Sequence, residues 1–281
     1  MLRTALIFTF CACGLYAQQI FTNSSVNFNN GEIRATFSNL NGNPGIVVAG
    51  APYSADRVLE RVQTLADGTH IRQENSTERV ARDSQGRTRI ERPLLNGSAS
   101  QGAPSITLIQ IFDPVAGAGY ILDEQNKVAH RVAMHPVDVP PARASGGGVV
   151  VSNGVSVEVG SGVVATGGVV QPRQARPAST QEKLGEQTIE GVVADGTRSS
   201  TTWPIGSQSN DRPITETSET WVSRELQVVV LSKRNSPQFG ESITKLINIS
   251  RAEPSAALFL PPPDYTVVDD KDSVTMNFKR Q

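Results

Sequence analysis

Closely spaced turn signals constrain the fold of this chain more than any other feature of its sequence. Between Arg61 and Pro93, Asp67-Gly68 separates two runs of strand-forming residues, and Asp-Gly in that setting is typical of a tight β-hairpin. Asp83-Ser84-Gln85-Gly86 then separates Glu78–Ala81 from Arg87–Glu91, and its glycine can adopt the positive φ that such turns need. The stretch therefore predicts three antiparallel strands joined by two tight turns.

Similar signals recur towards the C-terminus. Ala194-Asp195-Gly196-Thr197 repeats the Asp-Gly pattern and predicts a hairpin of strands at Glu186–Ala194 and Thr197–Trp203. Ile106–Phe112 is a strongly apolar strand that begins a further meander. Later segments predict strands at 214–223, 226–233 and 241–251, one helical turn at 255–260 and a short strand at 265–268. The chain as a whole is therefore predicted to be mainly β, built as an antiparallel meander.

The segment Tyr53–Ala66 fits two patterns. Val58, Val62 and Leu65 lie at helical spacing, and Ser54 could cap a helix. The Asp-Gly turn that follows requires a strand before it, so we predict a strand from about residue 57.

The N-terminus has the features of an export signal. Arg3 precedes an apolar run that is too short to span a bilayer, and cleavage after Ala17 predicts a signal peptide at residues 1–17. Cys11 and Cys13 both lie inside it, so the mature chain would contain no disulfide; lipid attachment at Cys13 is the alternative. The expected location is the periplasm or the exterior.

Composition divides the remaining chain. Residues 138–182 contain eight Gly and four Pro but no Leu, Ile or aromatic residue, so they predict a flexible linker or insertion. It would separate the N-terminal part (residues 18–137) from the C-terminal part (residues 183–268) of one antiparallel β domain. A charged tail at residues 269–281 is expected to be frayed.

Charge and motif content argue against several classes of protein. The sequence has 26 Lys and Arg against 27 Asp and Glu, so nothing predicts a nucleic-acid partner, and no stretch after the signal could span a membrane as a helix. Gly160-Ser161-Gly162 lacks the helix that a dinucleotide site needs, and Ser242 and Lys245 would point to opposite faces of a strand. His130 and His135 lack further ligands for a metal. We therefore predict no catalytic residues, no metal and no cofactor.

Part of the C-terminal half resembles a known family. The pattern of a strand with Trp, a turn and a second strand occurs in Glu219–Ser223 followed by Leu226–Val230. The closing residues, which include Asn248, Glu253-Pro254, Leu258-Phe259, Pro261 and Tyr265–Val268, add to it. This pattern resembles the periplasmic lipoprotein-carrier and outer-membrane lipoprotein-sorting superfamily. The resemblance implies a curved sheet or half-barrel, whose concave face holds an acyl chain or a protein partner.

Two strands are apolar on both alternating faces, Ile106–Phe112 and Leu226–Leu231, and such strands need cover on both sides. A half-barrel with a filled hollow would supply it, and a β-sandwich is the alternative. The predicted ligand-lining residues are Ile109, Ile111, Trp221, Val228 and Val230. The leading hypothesis is a non-catalytic exported protein that binds an apolar ligand, such as an acyl chain or lipoprotein, or an envelope partner. A structural or interaction β-sandwich without a ligand is second, and an unrecognised hydrolase is third.

Overall fold

A computed structural model of the chain describes residues 6–8, 23–29, 32–40, 47–65, 67–94, 106–134 and 177–279. Strands make up most of these residues, and the only helix among them is a 3-10 helix at Ala256–Phe259. The prediction of a mainly β, antiparallel fold with few short helices is confirmed.

The described residues contain sixteen strands, which form two sheets. The strands are β1 (Leu6–Phe8), β2 (Asn23–Asn29), β3 (Glu32–Ser38), β4 (Tyr53–Thr64), β5 (His70–Arg82), β6 (Thr88–Pro93), β7 (Thr107–Asp113), β8 (Ala118–Asp123), β9 (Val128–Ala133), β10 (Ala178–Ile189), β11 (Val192–Trp203), β12 (Ile214–Ser223), β13 (Val228–Ser236), β14 (Gly240–Ser250), β15 (Thr266–Asp270) and β16 (Ser273–Lys279). The small sheet has the order β1-β2-β3-β16. The large sheet has the order β10-β11-β12-β13-β14-β4-β5-β6-β7-β8-β9-β15.

The N-terminal and C-terminal parts of the chain belong to one sheet. Strand β14 pairs antiparallel with β4, with Glu241 opposite Val62 and Leu246 opposite Arg57. Every neighbouring pair in the large sheet is antiparallel except β9 and β15, which run parallel. Most of the predicted linker lies outside the described residues. Its final residues, from 178 to 182, belong to β10.

The large sheet is curved, as the hydrogen bonds of one side chain show. The Arg82 guanidinium at the end of β5 donates hydrogen bonds to the carbonyls of Ala51 and of Leu226, which lies in the β12–β13 turn. Strands β13 and β5 are three strand spacings apart, which would be roughly 14 Å in a flat sheet. The β12–β13 turn must therefore curl back over the face of the sheet that carries Arg82.

Three clusters of buried side chains hold the two sheets and the 3-10 helix together. The first cluster joins the small sheet to β7–β9 and includes Ile33, Phe37, Leu108, Ile121 and Met276. The second cluster lies along β4, β5 and β11–β14 and includes Tyr53, Val80, Ala194, Trp221, Val230 and Leu246. The third cluster packs Phe259 of the 3-10 helix on Ile109, Ile111, Leu122 and Ala129.

Strand β7 is covered on both of its faces, as its apolar sequence requires. Leu108 packs in the first cluster under the small sheet, whereas Ile109 and Ile111 pack in the third cluster under Phe259. A second layer of sheet covers one face and a single short helix covers the other. The fold is therefore a local two-layer arrangement at one end of a longer, single-layered sheet.

The β5–β6 turn contacts several distant segments of the chain. The Asp83 carboxylate accepts hydrogen bonds from the backbone N–H groups of Gln85 (3.0 Å) and Arg87 (2.8 Å) and from Arg87 Nε (2.6 Å). The Arg87 guanidinium lies 5.4 Å from the centre of the Phe259 ring. Ser84 N–H donates to Glu253 Oε1 over 3.0 Å, and hydrogen bonds from Ser84 lower the pKa of the Glu253 carboxyl. The turn thus fixes the C-terminal segment on the sheet.

The predicted hairpin at Asp195-Gly196 is wrong. Both residues lie inside β11, and the chain instead reverses at Glu190-Gly191, where both φ angles are positive, at 49° and 75°. Gly196 is there for packing, because a Cβ built on it would lie 2.6 Å from the Trp221 ring. The two Asp-Gly pairs therefore have different roles. The glycine at position 196 leaves space for the Trp221 ring, whereas Gly68 has a φ of 83° and forms a turn.

Other boundaries also differ from the sequence expectations. Strand β4 begins at Tyr53 rather than near residue 57. The C-terminal tail, expected to be frayed, contains β16, whose residues Val274, Met276 and Phe278 are buried beside β3. Strand β1 lies inside the predicted signal peptide and pairs with β2.

Candidate binding groove

A shallow polar groove lies across the C-terminal strands of the large sheet. Its volume is about 370 Å³, and strands β11 to β14 all contribute to it. The lining residues are Ser199, Thr201, Glu216, Thr217, Ser218, Thr220, Ser232, Arg234, Ser242 and Thr244. Eight of these ten side chains carry a hydroxyl group, and the other two carry opposite charges. We call this surface the hydroxyl groove.

Strand register explains why these hydroxyls share one surface. Residues directly opposite each other in an antiparallel pair lie on the same face of the sheet. Ser218 lies opposite Ser199 on β11 and opposite Arg234 on β13, while Ser232 lies opposite Thr244 on β14. Alternating Ser and Thr on four adjacent strands therefore converge on one face.

The hydroxyl groove occupies the concave face of the sheet. Side chains two residues apart on a strand point to the same side, so Ser242 and Thr244 share the face of Leu246, which packs in the second cluster. That cluster also contains Tyr53, which stacks on Arg82 at 4.9 Å from the ring centre. On this face of the sheet, the hydroxyl groove is thus continuous with the part of the second cluster that contains Leu246 and Tyr53.

The charged pair in the groove lining joins Glu216 and Arg234. Arg234 Nη2 lies 3.2 Å from Glu216 Oε2, and Ser236 Oγ donates to Glu216 Oε1 over 2.9 Å. The Glu216 side chain is largely buried, whereas nearly half of the Arg234 side chain is exposed. Glu216 therefore orients the guanidinium, and a ligand in the groove can reach the exposed part of the Arg234 side chain.

The opposite face of the same strands is also polar. Arg198 Nη2 lies 2.7 Å from Glu219 Oε1, and this hydrogen bond raises the pKa of the Arg198 guanidinium. Lys245 Nζ lies 3.0 Å from Glu60 Oε1, and the hydroxyls of Thr202 and Thr215 are 3.0 Å apart. Towards the β12–β13 turn this face also carries Trp221, which packs in the second cluster, so only the part of it behind the hydroxyl groove is polar.

The residues predicted to line a ligand site fall into two separate clusters. Ile109 and Ile111 are buried in the third cluster beside Phe259. Trp221 and Val230 are buried in the second cluster, with Val228 half-buried at its margin. The structure thus brings Trp221, Val228 and Val230 together and places Ile109 and Ile111 elsewhere; their role in ligand binding stays a prediction.

The residues considered for catalysis and metal binding occupy structural positions where they are described. His130 Nδ1 lies 2.8 Å from Asp270 Oδ2, in a contact between the parallel strands β9 and β15. Ser242 and Lys245 lie on one strand, β14. His135 and Gly160-Ser161-Gly162 lie outside the described residues. Within the described ranges, no group of three or more His, Cys, Asp or Glu side chains is placed to bind a metal.

The hydroxyl groove was not among the sites predicted from the sequence. A signal was present, since Ser and Thr recur at residues 199–202, 215–220, 232 and 242–244. Alternating hydroxyls of this kind are typical of strands with a solvated face. Only the register shows that four such stretches lie side by side.

Comparison with known proteins identifies no family from sequence: no family model and no curated protein matches the chain. Several solved structures are similar in fold. A chain of the Pseudomonas aeruginosa MucA/MucB complex has a TM-score of 0.35 and 13% identity over 78% of this chain, which spans 58% of that chain. An uncharacterized conserved protein of Thermus thermophilus has a TM-score of 0.37 and 12% identity, with 78% of this chain and 91% of that chain covered.

A LolA-superfamily protein of Nitrosomonas europaea is also similar, with a TM-score of 0.28 and 8% identity over 76% of this chain and 92% of that one. Lipoprotein-carrier and lipoprotein-sorting proteins are thus among the distant structural matches of this chain, as the sequence resemblance predicted. In the described part of the chain, no helix has the length and apolarity needed to cross a bilayer.

Proposed function

We propose that this chain is an exported, non-catalytic binding protein whose hydroxyl groove binds an extended, polar segment of an envelope partner. The apolar segment at residues 1–17 supports export to the periplasm or the exterior. The observation that carries the proposal is the concave, open row of hydroxyls around Arg234; seven of the eight lie on that face, and Thr217 lies on the other.

The chemistry of the groove favours a polar partner. Hydroxyl groups both donate and accept hydrogen bonds, so a row of them can follow the alternating donors and acceptors of an extended peptide. Arg234 adds a charge-assisted contact to a carboxylate or carbonyl group. Aromatic side chains, on which sugar or nucleotide rings stack, are absent from the described groove lining.

The proposal predicts that Arg234→Glu abolishes retention of the native partner. This change puts a second carboxylate beside Glu216 and reverses the charge that the groove presents, so we expect partner recovery to fall by roughly a hundredfold. The measurement is quantitative recovery of co-purifying protein from the native host, using tagged wild-type and variant chains.

Arg198→Glu is the matched control, because it reverses a charge at a similar depth on the opposite face of the same strands. Recovery should match that of the wild type. Equal losses from both variants, or no loss from Arg234→Glu, would show that the groove is not the binding surface.

An acyl chain bound at the second cluster is the second candidate function. The observation that favours it is a margin of half-buried apolar side chains packed against this cluster, formed by Ile90, Leu184, Ile189, Val228, Leu231 and Ile249. Such a margin presents apolar surface to a ligand without requiring the core to open.

This second function predicts that the folded protein binds a fluorescent fatty acid with micromolar affinity and that Trp221 emission changes on binding. Val228→Asp should weaken binding by roughly tenfold, because it places a carboxylate where an apolar chain would lie. Titration followed by fluorescence measures both effects, and circular dichroism establishes that the variant is folded. Wild-type protein that takes up no fatty acid would rule out this candidate and leave the partner-binding function.

A further inference from the structure

Three neighbouring hairpin turns at one end of the large sheet carry exposed apolar side chains. They are the β11–β12 turn with Ile205, the β13–β14 turn with Phe239, and the β4–β5 turn with Leu65 and Ile71 beside it. Phe239 is 76% exposed and Ile205 is 65% exposed. Because β11 to β14, β4 and β5 are consecutive in the sheet, the three turns form one row, which we call the apolar rim.

Contacts between turns make the apolar rim continuous. Gln238 Nε2 in the β13–β14 turn donates to Gln208 Oε1 in the β11–β12 turn over 3.1 Å. On the other side, a Cβ built on Gly240 would lie 2.5 Å from the Val62 carbonyl oxygen of β4, so these two hairpins also touch. The rim lies at one end of the strands that line the hydroxyl groove.

The backbone holds these side chains outward. Phe239 N–H donates to the Ser236 carbonyl over 3.2 Å, and Gly206 N–H donates to the Asn210 carbonyl over 2.8 Å. Leu65 N–H donates to the Thr69 carbonyl over 2.8 Å. The apolar side chains therefore lie in or beside hydrogen-bonded turns, which hold them in exposed positions.

The amount of apolar surface is small for a protein interface. The four side chains together expose on the order of 400 Å², about half of the roughly 800 Å² that each partner buries in a standard protein–protein interface. The turns are convex and about 10 Å apart, since two strand spacings separate neighbouring hairpins. A protein partner would need three matching pockets at that spacing, whereas the fluid interface of a bilayer accepts any arrangement.

The charges around the rim are nearly balanced. Asp67, Asp211 and Glu241 are exposed acidic residues, and Arg72, Arg212 and His70 are exposed basic or titratable residues. Attraction to anionic surfaces therefore contributes little, and apolar contact is the main source of affinity that the rim offers.

From this arrangement we propose that the apolar rim docks on a lipid bilayer. The side chains of Ile205, Phe239, Leu65 and Ile71 enter the headgroup region, and the strands stand away from the surface. An aromatic ring with neighbouring branched aliphatic side chains suits the membrane–water interface. Docking would hold the hydroxyl groove close to the membrane, but it does not depend on what the groove binds.

The test is flotation of the full chain with vesicles of phosphatidylcholine, which carry no net charge. Wild-type protein should float with the vesicles, and added salt should change binding little. The double substitution of Phe239→Ser and Ile205→Ser should reduce the bound fraction at limiting lipid on the order of a hundredfold, because it removes the two most exposed side chains of the rim.

Val115→Ser is the matched control. Val115 is 69% exposed in the β7–β8 turn, at the opposite end of the strands, and its substitution should leave flotation unchanged. Thermal unfolding midpoints would establish that the variants are folded. The proposal is overturned if the wild type does not float, or if Val115→Ser lowers binding as much as the rim variant does. A concentration-dependent dimer that the rim variant abolishes, without vesicle binding, would assign the rim to a second copy of the chain instead.

Discussion

Phe259→Ala is expected to lower the free energy of unfolding by about 3–5 kcal/mol, which is a large part of the stability of a typical domain. Phe259 is fully buried and is the residue of the 3-10 helix that fills the third cluster, against Ile109, Ile111 and Leu122. Because one short helix covers this face of β7 and β8, little neighbouring structure can collapse into the cavity. Equilibrium unfolding in urea, with the midpoint and slope measured, gives the change.

The neighbouring residue supplies the control for this prediction. Leu260 follows Phe259 in the chain, and about half of its side chain is exposed. Leu260→Ala should change the free energy of unfolding by less than about 1 kcal/mol. A Phe259→Ala variant as stable as Leu260→Ala would mean that the 3-10 helix does not cover the sheet as described.

Asp83→Ala is expected to lower the free energy of unfolding by a similar amount, about 3–5 kcal/mol. Its carboxylate is buried and accepts three hydrogen bonds within the β5–β6 turn, one of them from Arg87 Nε. The substitution leaves two backbone N–H groups and a largely buried guanidinium without their acceptor. It also frees the guanidinium that lies over Phe259, so the turn and the 3-10 helix should lose stability together.

Asp67 offers a matched comparison for Asp83. Its carboxylate accepts a hydrogen bond from Thr69 N–H over 2.9 Å in the β4–β5 turn, where it is fully exposed. Asp67→Ala should therefore cost much less stability in the same urea experiment, because water can replace the lost acceptor. Equal losses of stability from the two substitutions would show that burial of the Asp83 carboxylate does not strengthen its hydrogen bonds in the β5–β6 turn.

The local parts of this fold were predictable from sequence because they depend on short-range chemistry. Asp67-Gly68 and Asp83–Gly86 specify turns through positive φ and side-chain hydrogen bonds to the backbone, and both turns form where predicted. The Asp195-Gly196 prediction failed because glycine also occurs where a ring packs against the backbone. A single sequence does not distinguish a glycine needed for φ from one needed for space.

The site depends on long-range pairing, which a sequence does not display. The hydroxyl groove requires β14 to pair with β13, and the continuation of its concave face requires β14 to pair with β4, about 180 residues earlier in the chain. The resemblance to lipoprotein carriers led to the prediction that apolar residues such as Trp221 and Val230 line a ligand site, but these two residues are buried in a cluster. The groove-lining hydroxyls were not predicted as a site, because only the strand register brings them together.

Face-specific photo-crosslinking in the native host tests most directly whether the hydroxyl groove is the binding surface. A photoreactive residue in place of Ser218 would lie in the groove, and one in place of Thr202 would lie on the opposite face of adjacent strands. The proposed function predicts a discrete crosslinked product from position 218, which Arg234→Glu abolishes, and no such product from position 202. Crosslinking to the same partner from both positions, or from position 202 alone, would contradict the assignment of function to the groove.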